Sequence, residues 1–337
     1  MMKSRVLYLD ITRVLACLMV ILTHSPQPHS AHSFVLSSIS LLAAPSIGLF
    51  FMTSGALLLP VSKPTKIFLK HRLTKIVIPV LFWSLFYLLI HYFKTNDLEE
   101  LFLSIISIPF SAQGCAVFWF VYVLIGLYLM APIISAWLQK ASKREIEFYL
   151  LLWLITMCYP IISSFIRVND EVSGILYYFA GYVGYFVLGY YLHNYIKRWN
   201  IWILTAMYIL PFGYAVICKL SEFKVDFYSV FWYLSISVVT MCVALFMYIK
   251  ELFSAAKLNT KLKKCIIDFS NYSFGIYLIH FFIIRDVLWK FDLTLLPNGG
   301  GIFETFMIAT IVSYLIVHLM SMLPRAEYLI GYRKRQK

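Results

Sequence analysis

The chain has 337 residues, of which 61% are hydrophobic and only 13% are charged. Soluble globular domains have about a quarter charged residues, so this composition excludes an ordinary soluble protein and predicts an integral membrane protein. The net charge of +13 does not indicate nucleic-acid binding, because the basic residues lie in short segments between apolar runs. The six cysteines have no CxxC or zinc-ligand spacing, which predicts free thiols.

Ten apolar segments are long enough to cross a bilayer as α-helices. In chain order they are Val6–Thr23, Val35–Leu59, Ile76–Phe93, Cys115–Leu138, Ile146–Ile166, Ile175–Leu192, Trp199–Cys218, Phe227–Ile249, Ile266–Ile284 and Ile302–Leu323. The ninth has polar first turns, so its boundaries are the hardest to place. A shorter stretch, Leu101–Phe110, is predicted to lie at the membrane interface. The predicted fold is all-α, a polytopic membrane helix bundle of about ten transmembrane helices.

The first segment resembles a signal peptide, but charged residues interrupt it and no clean cleavage site follows, so we expect it to be retained. With ten spans, 22 of the 29 Lys and Arg residues fall on one side and six on the other. Positive charge marks the cytoplasmic side, so both termini are predicted to be cytoplasmic. We expect a membrane domain over residues 1–325 and a short basic cytoplasmic tail over residues 326–337.

The first segment also carries the strongest functional signal, because ionisable residues within a membrane are costly and mark functional sites by default. These residues are Asp10, Arg13 and His24. Eleven residues at about 100° each bring Arg13 and His24 onto one face of a helix, about 16 Å apart along its axis. They cannot touch, but they can line one path. Asp10 is within reach of an ion pair with Arg13, so simple neutralisation, with His24 as a loop residue, is the alternative interpretation.

Five segments in the same order resemble the membrane acyltransferase-3 family. They are Tyr8–Ala16 with an Arg followed by ten residues and then His24, the FFMTSG sequence at Phe50–Gly55, the basic motif Arg72–Lys75 followed by Pro79, the FWFVY sequence at Phe118–Tyr122 with Tyr128 and Pro132, and the SFGIYLIH sequence at Ser273–His280. The resemblance covers nearly the whole chain. It implies a ten-helix enzyme that moves acyl groups, most often acetyl, from cytoplasmic acyl-coenzyme A to sugars of surface glycans.

Within the family, the chain resembles the surface-polysaccharide O-acetyltransferase type, similar to the enterobacterial common antigen O-acetyltransferase. Some larger relatives carry an added periplasmic SGNH domain, which we do not expect here. The resemblance implies acetyl-coenzyme A as donor co-substrate, a surface polysaccharide or lipid-linked glycan as acceptor, and the lipid bilayer of the bacterial inner membrane as location. The oligomeric state stays open.

The resemblance also implies residue roles. His24 would be the general base that deprotonates an acceptor hydroxyl, for which a side chain with an ordinary pKa of about 6.5 is suited. Arg13 would bind a phosphate, orient the pantetheine arm, or be fixed by Asp10. Arg72 and Lys75 fall on the family's basic pair, proposed to hold the coenzyme A phosphates. The family more usually has two Arg, and Lys75 lacks the bidentate fork of a guanidinium.

Four further residues are weaker candidates for substrate binding. They are Ser54, Trp119, Tyr122 and His280. Each has a simpler explanation, since small residues serve helix packing, aromatic residues anchor helix ends at the membrane interface, and a buried histidine can bond a neighbouring helix.

No metal site is expected, because His24, His29 and His32 have no Cys or carboxylate near them in the sequence. Two other functions stay open. The first is a transporter or exporter of a glycan intermediate or acyl group, in which the buried charges line a solute path. It is weakened, but not excluded, by the lack of an obvious internal repeat with broken helices. The second is a non-catalytic subunit of a polysaccharide assembly complex.

Overall fold

The structure is a computed structural model that describes residues 5–26, 41–112, 115–163, 166, 174–220, 231–256, 258–291 and 300–332. These residues form helices joined by turns, and no strand occurs among them. Eight of the helices described are long and apolar enough to cross a membrane. The predicted all-α polytopic membrane bundle is therefore confirmed.

The helices are α1 Leu7–His24, α2 Ser46–Leu58, α3 Thr65–Thr95, α4 Leu98–Ser107, α5 Trp119–Leu138, α6 Lys143–Ile162, α7 Val183–Tyr195, α8 Ile201–Leu220, α9 Ile236–Phe253, α10 Thr260–Phe282, α11 Gly300–Met320 and α12 Glu327–Ile330. Short 3₁₀ turns cover Ala116–Phe118, Tyr177–Phe179 and Leu288–Phe291, and a π-helical turn covers Ile283–Val287.

Eight of the ten predicted segments correspond to helical stretches long enough to span a membrane. For the second segment this stretch is Leu41–Leu58, which includes α2, and α3 and α10 begin well before their predicted starts. The predicted segment Ile175–Leu192 does not form one continuous helix. It contains the turn Tyr177–Phe179 and then α7, which has 13 residues. Between them Gly181 takes a left-handed conformation (φ +93°), which a glycine adopts without steric cost. The seventh predicted segment corresponds to α8, which covers Ile201–Leu220.

The predicted interfacial stretch corresponds to α4. The residue before this helix is its N-cap, Asp97, whose side chain accepts a hydrogen bond from the backbone N–H of Glu100. Such an N-cap satisfies a backbone donor that the helix itself leaves without a partner. None of the residues of α4 is buried.

The chain divides into two compact units. The first comprises Met1–Thr23, His29–Val61 and Ile133–Ser270. In this unit α2 and α7 pack through glycines. A Cβ added to Gly55 would lie 1.8 Å from the carbonyl oxygen of Phe186, and one added to Gly189 would lie 2.0 Å from that of Met52. Only residues without a side chain allow backbones to approach so closely, so these glycines determine the packing of the pair.

The second unit comprises His24–Pro28, Ser62–Pro132 and Asn271–Lys337. Here the short helix α12 packs against α3. The indole N–H of Trp83 donates to the carbonyl of Leu329 (2.9 Å), and Ile330 is fully buried. Residues predicted to belong to a basic tail therefore begin with a helix that is part of the folded unit, while residues 333–337 lie outside the described part of the chain.

Candidate functional site

The first unit contains a cluster of polar residues around the start of α1, here called the Asp10 cluster: Arg5, Asp10, Arg13 and Ser270. The carboxylate of Asp10 is buried. Arg5 donates from Nε to Oδ2 (2.7 Å) and from Nη2 to Oδ1 (2.8 Å). The hydroxyl of Ser270 donates to Oδ1 (2.7 Å). A buried carboxylate needs such charge-assisted bonds to offset its lost hydration, and Asp10 has them.

The sequence suggested Arg13 as the ion-pair partner of Asp10, and in the structure that partner is Arg5. Arg13 instead has its Nη1 3.5 Å from the hydroxyl of Ser270. The cluster contains two guanidinium groups and one carboxylate, so its net charge is positive. A positive group within the membrane is suited to hold a phosphate or another anionic part of a ligand.

A second polar group holds α1 against the end of α7. The hydroxyl of Tyr8 is hydrogen-bonded to Nδ1 of His193. The ammonium of Lys250 donates to the carbonyls of Leu192 (2.8 Å), His193 (2.9 Å) and Ile196 (2.6 Å). The last carbonyls of a helix have no partner within it, and a cation there is favourable. Lys250 directly follows the predicted segment Phe227–Ile249, and no sequence pattern indicated this role.

The second unit contains the far end of α1, where His24, His280 and Phe281 form what we call the histidine cluster. The ring of His24 lies 5.5 Å from that of His280 and 5.4 Å from that of Phe281, between centroids. No hydrogen bond to the ring of His24 is found among the described residues. His280 is fully buried. Its Nδ1 lies 2.6 Å from the carbonyl oxygen of Tyr277, and its Nε2 has no partner in the described part of the chain.

Around His280, a side chain from α3 replaces one backbone hydrogen bond of the helix α10. The hydroxyl of Tyr87 donates to the carbonyl of Leu278 (3.1 Å) and accepts from the N–H of Phe282 (2.9 Å). In a regular α-helix these two backbone groups would bond each other. The inserted hydroxyl separates them, and the π-helical turn Ile283–Val287 begins at the next residue. Side chains that enter the backbone ladder cause such irregularities, and π-turns often occur at functional sites.

A charged group follows in the π-helical turn. The carboxylate of Asp286 is buried and forms ion pairs with Lys94 and, at 2.8 Å, with Arg285. The guanidinium of Arg285 also lies over the rings of Phe281 (5.1 Å) and Tyr87 (5.7 Å). Phe281 therefore has the His24 ring and the guanidinium of Arg285 as neighbours.

Nearly the whole chain, including residues of both clusters, is similar to one protein family. A family model described as an acyltransferase domain matches residues 6–322, which includes both the Asp10 cluster residue Arg13 and the histidine cluster. The chain belongs to the acyltransferase-3 family. It is therefore a membrane acyltransferase. No curated protein and no solved structure matches the chain.

The basic pair that the acyltransferase-3 resemblance singles out lies on α3. Arg72 is partly buried and Lys75 is exposed. Residues three apart in a helix lie on the same side of it, so the two can contact one anionic group together. Neither side chain forms an ion pair within the described residues, so no carboxylate there competes for them.

The remaining candidates are Tyr122, Trp119 and Ser54. The hydroxyl of Tyr122 donates to the carbonyl of Ile108 (2.5 Å), which ties α5 to the turn after α4. Trp119 is partly buried at the first residue of α5. Ser54 is partly buried beside Gly55, where α2 packs closely against α7.

Metal binding has no support from the residues that the structure describes, since no three His, Cys, Asp or Glu side chains come together among them. His29 and His32, which were considered with His24, lie outside the described residues.

Proposed function

We propose that this membrane acyltransferase is an O-acetyltransferase that moves the acetyl group of acetyl-coenzyme A to a hydroxyl of a surface polysaccharide or a lipid-linked glycan. The observation that carries the proposal is the environment of His24. Its ring closes α1 beside a buried histidine and an aromatic ring, and no hydrogen bond occupies it among the described residues. A general base needs such an available nitrogen within reach of the hydroxyl that it deprotonates.

The reaction is a direct transfer. A ring nitrogen of His24 takes the proton of the acceptor hydroxyl while the hydroxyl oxygen forms a bond to the thioester carbonyl carbon. The carbon–sulfur bond then breaks, and the leaving thiolate of coenzyme A takes up the proton from His24. The products are the acetylated sugar and coenzyme A, and His24 returns to its neutral form.

Arg13 and the α3 pair would act on the donor. Arg13 lies on α1 about 16 Å from His24 along the helix axis, too far to take part in proton transfer. Its positive charge suits an anionic or polar part of the donor. Arg72 and Lys75 offer a guanidinium and an ammonium to the phosphates of coenzyme A, for which Arg provides the bidentate contact and Lys a point charge.

The location follows from charge. We propose that the enzyme lies in the bacterial inner membrane with both termini in the cytoplasm, because 22 of its 29 basic residues fall on one side of a ten-span topology. The donor then enters from the cytoplasm, and the acceptor is bound at the His24 end of α1.

The test uses purified full-length protein in liposomes with radiolabelled acetyl-coenzyme A and cell-envelope glycolipid. We expect His24→Ala to lower the rate of label transfer by about 10²- to 10⁴-fold, the usual contribution of a general base, while insertion and folding stay intact. The matched control is His91→Ala, since His91 is an exposed histidine on α3 that is paired with Glu100.

Equal transfer by His24→Ala and wild type would disprove the role of His24. Movement of unacetylated glycolipid across the bilayer without acetyl-coenzyme A would instead support the transporter alternative.

A further inference from the structure

His280 is a buried polar side chain that has no role in the mechanism above. The carbonyl oxygen of Tyr277, 2.6 Å from Nδ1, can only accept a hydrogen bond, so Nδ1 carries the proton and donates it. The ring is fully buried and no carboxylate bonds to it among the described residues, which favours the neutral form. In a neutral imidazole with a protonated Nδ1, Nε2 has a lone pair and accepts.

That acceptor has no partner in the described part of the chain. Buried polar atoms of folded proteins nearly always have one, and an exception needs an explanation. The position of the ring leaves Nε2 little freedom to find a partner by moving. The Nδ1 bond fixes the ring, and the hydroxyl of Tyr277 in turn donates to the carbonyl of Val117. A donor must therefore come to Nε2.

Three rings lie near His280 among the described residues, and one of them can supply this donor. The hydroxyl of Tyr277 is bound to Val117, and Phe281 has no donor. His24 remains, with its ring centroid 5.5 Å away and the planes tilted by 45°. Two imidazoles joined by an N–H···N bond of about 2.9 Å have centroids about 5 Å apart. The centroid distance of 5.5 Å between His24 and His280 is close to this value.

We propose that His280 is a positioning residue for His24, in that its Nε2 accepts the ring N–H of His24 and leaves the other His24 nitrogen unprotonated as the base. The proposal rests on the proposed function of His24 as a base. It adds a specific reason why that base has the correct tautomer before the acceptor arrives. A histidine base whose second nitrogen has no fixed partner divides its population between two tautomers, only one of which is productive.

Two substitutions of His280 separate the two ring nitrogens. Asn is short and places an amide N–H near the Nδ1 position, so His280→Asn keeps a donor for Tyr277 and loses the acceptor. Gln is longer and places an amide oxygen near the Nε2 position, so His280→Gln keeps an acceptor for His24. We expect His280→Asn to lower kcat at least about tenfold with KM for acetyl-coenzyme A unchanged, and His280→Gln to recover most of that loss.

A coupling test follows from the same idea. In a His24→Ala background, His280→Asn should change the remaining rate little, because a residue that acts only through His24 has nothing left to position. A full additional loss in that background would overturn the proposal. Equal activity of His280→Asn and wild type would also overturn it. So would a rise in KM for the glycan acceptor with kcat unchanged, since His280 would then bind substrate.

A spectroscopic measurement separates failure of this proposal from failure of the proposed function. In protein labelled with ¹⁵N-histidine and held in lipid bilayers, nitrogen chemical shifts report the tautomer of each ring, and the His24→Ala spectrum assigns the His24 signals. We expect one His24 tautomer in wild type and a mixture in His280→Asn. A mixture already in wild type would overturn the positioning role, whereas a single tautomer in protein that transfers no acetyl group would reject only the O-acetyltransferase.

Discussion

The two ends of α1 have polar surroundings of opposite kinds. At its start, both oxygens of Asp10 are bonded, to Arg5 and to Ser270. At its end, His24 lies beside His280, whose buried Nε2 has no partner among the described residues. A buried polar group that is fully bonded contributes to stability, whereas one left without a bond lowers stability and persists where function requires it. The difference separates the residues that hold the helix from those expected to act on substrate.

The largest effect on stability is expected at the bonded end. Asp10→Ala removes the carboxylate that Arg5 and Ser270 share, and we expect the free energy of unfolding to fall by about 2–3 kcal/mol, since bonds to charged groups are worth about 1.5–3 kcal/mol each and Arg5 is half exposed and can turn to water. Denaturation of the purified protein by SDS, followed by tryptophan fluorescence, measures this change.

Glu99→Ala is the control for Asp10→Ala, because Glu99 is an exposed carboxylate on α4. A variant Asp10→Ala that is as stable as wild type but inactive would break the comparison. Asp10 would then belong to the catalytic residues, as its place among the ionisable residues of the first segment predicts.

At the other end of α1, we expect the placement of the histidine cluster to depend on the hydroxyl of Tyr87, which interrupts the backbone hydrogen bonds of α10. Tyr87→Phe lets the N–H of Phe282 bond the carbonyl of Leu278 directly, which changes the register of the π-helical turn and moves Arg285 relative to Phe281. We expect the rate of acetyl transfer to fall by about 10- to 100-fold, as for a misplacement of active-site groups by about 1 Å, without loss of stability.

The rate and the denaturation midpoint of Tyr87→Phe are compared with those of Tyr92→Phe. Tyr92 is the control because it lies on the same helix, while the bonds to Leu278 and Phe282 are made by Tyr87. Full activity of Tyr87→Phe would show that the π-helical turn has no part in the placement of the histidine cluster.

The smallest of these effects concerns Arg72 and Lys75, which form no ion pair within the part of the chain that the structure describes. If basic residues lacking a carboxylate partner are kept for a ligand, Arg72→Ala should raise KM for acetyl-coenzyme A about tenfold, or about 1.4 kcal/mol, with kcat little changed. Lys75→Ala should have a smaller effect, because an ammonium contacts a phosphate only as a point charge.

Lys66→Ala serves as the control, since Lys66 is an exposed lysine near the start of the same helix. If Lys66→Ala raises KM as much as Arg72→Ala does, the effect belongs to the general positive charge of this segment.

Much of the fold could be predicted from apolar run lengths alone. Within lipid every backbone N–H and C=O must be bonded inside its own segment, so an apolar run of about 20 residues has little choice but to form a helix. The exception was the segment at Ile175–Leu192, where Gly181 takes a left-handed conformation between the turn Tyr177–Phe179 and the start of α7. Hydrophobicity alone carries no information about such a break.

The candidate site could be predicted only in part. The sequence placed Arg13 and His24 on one face of one helix, because a helix fixes the direction of its own side chains. It did not indicate Arg5 as the partner of Asp10, since Arg5 precedes the helix and helical spacing does not govern it. His280 was expected to bond a neighbouring helix, but its Nδ1 bonds the carbonyl of Tyr277 in the same helix, and its Nε2 has no partner among the described residues.

By itself the sequence determined that this protein is a helical membrane protein of the acyltransferase-3 type, and it located both ends of α1 as places where polar groups enter an apolar segment. Only the tertiary structure decided the partners. Ser270 meets Asp10 from 260 residues away, and Tyr87 opens α10 from 191 residues away. The sequence pattern of a helix indicates which of its faces is polar. Which other helix contacts that face depends on how whole helices pack, and no single segment determines this.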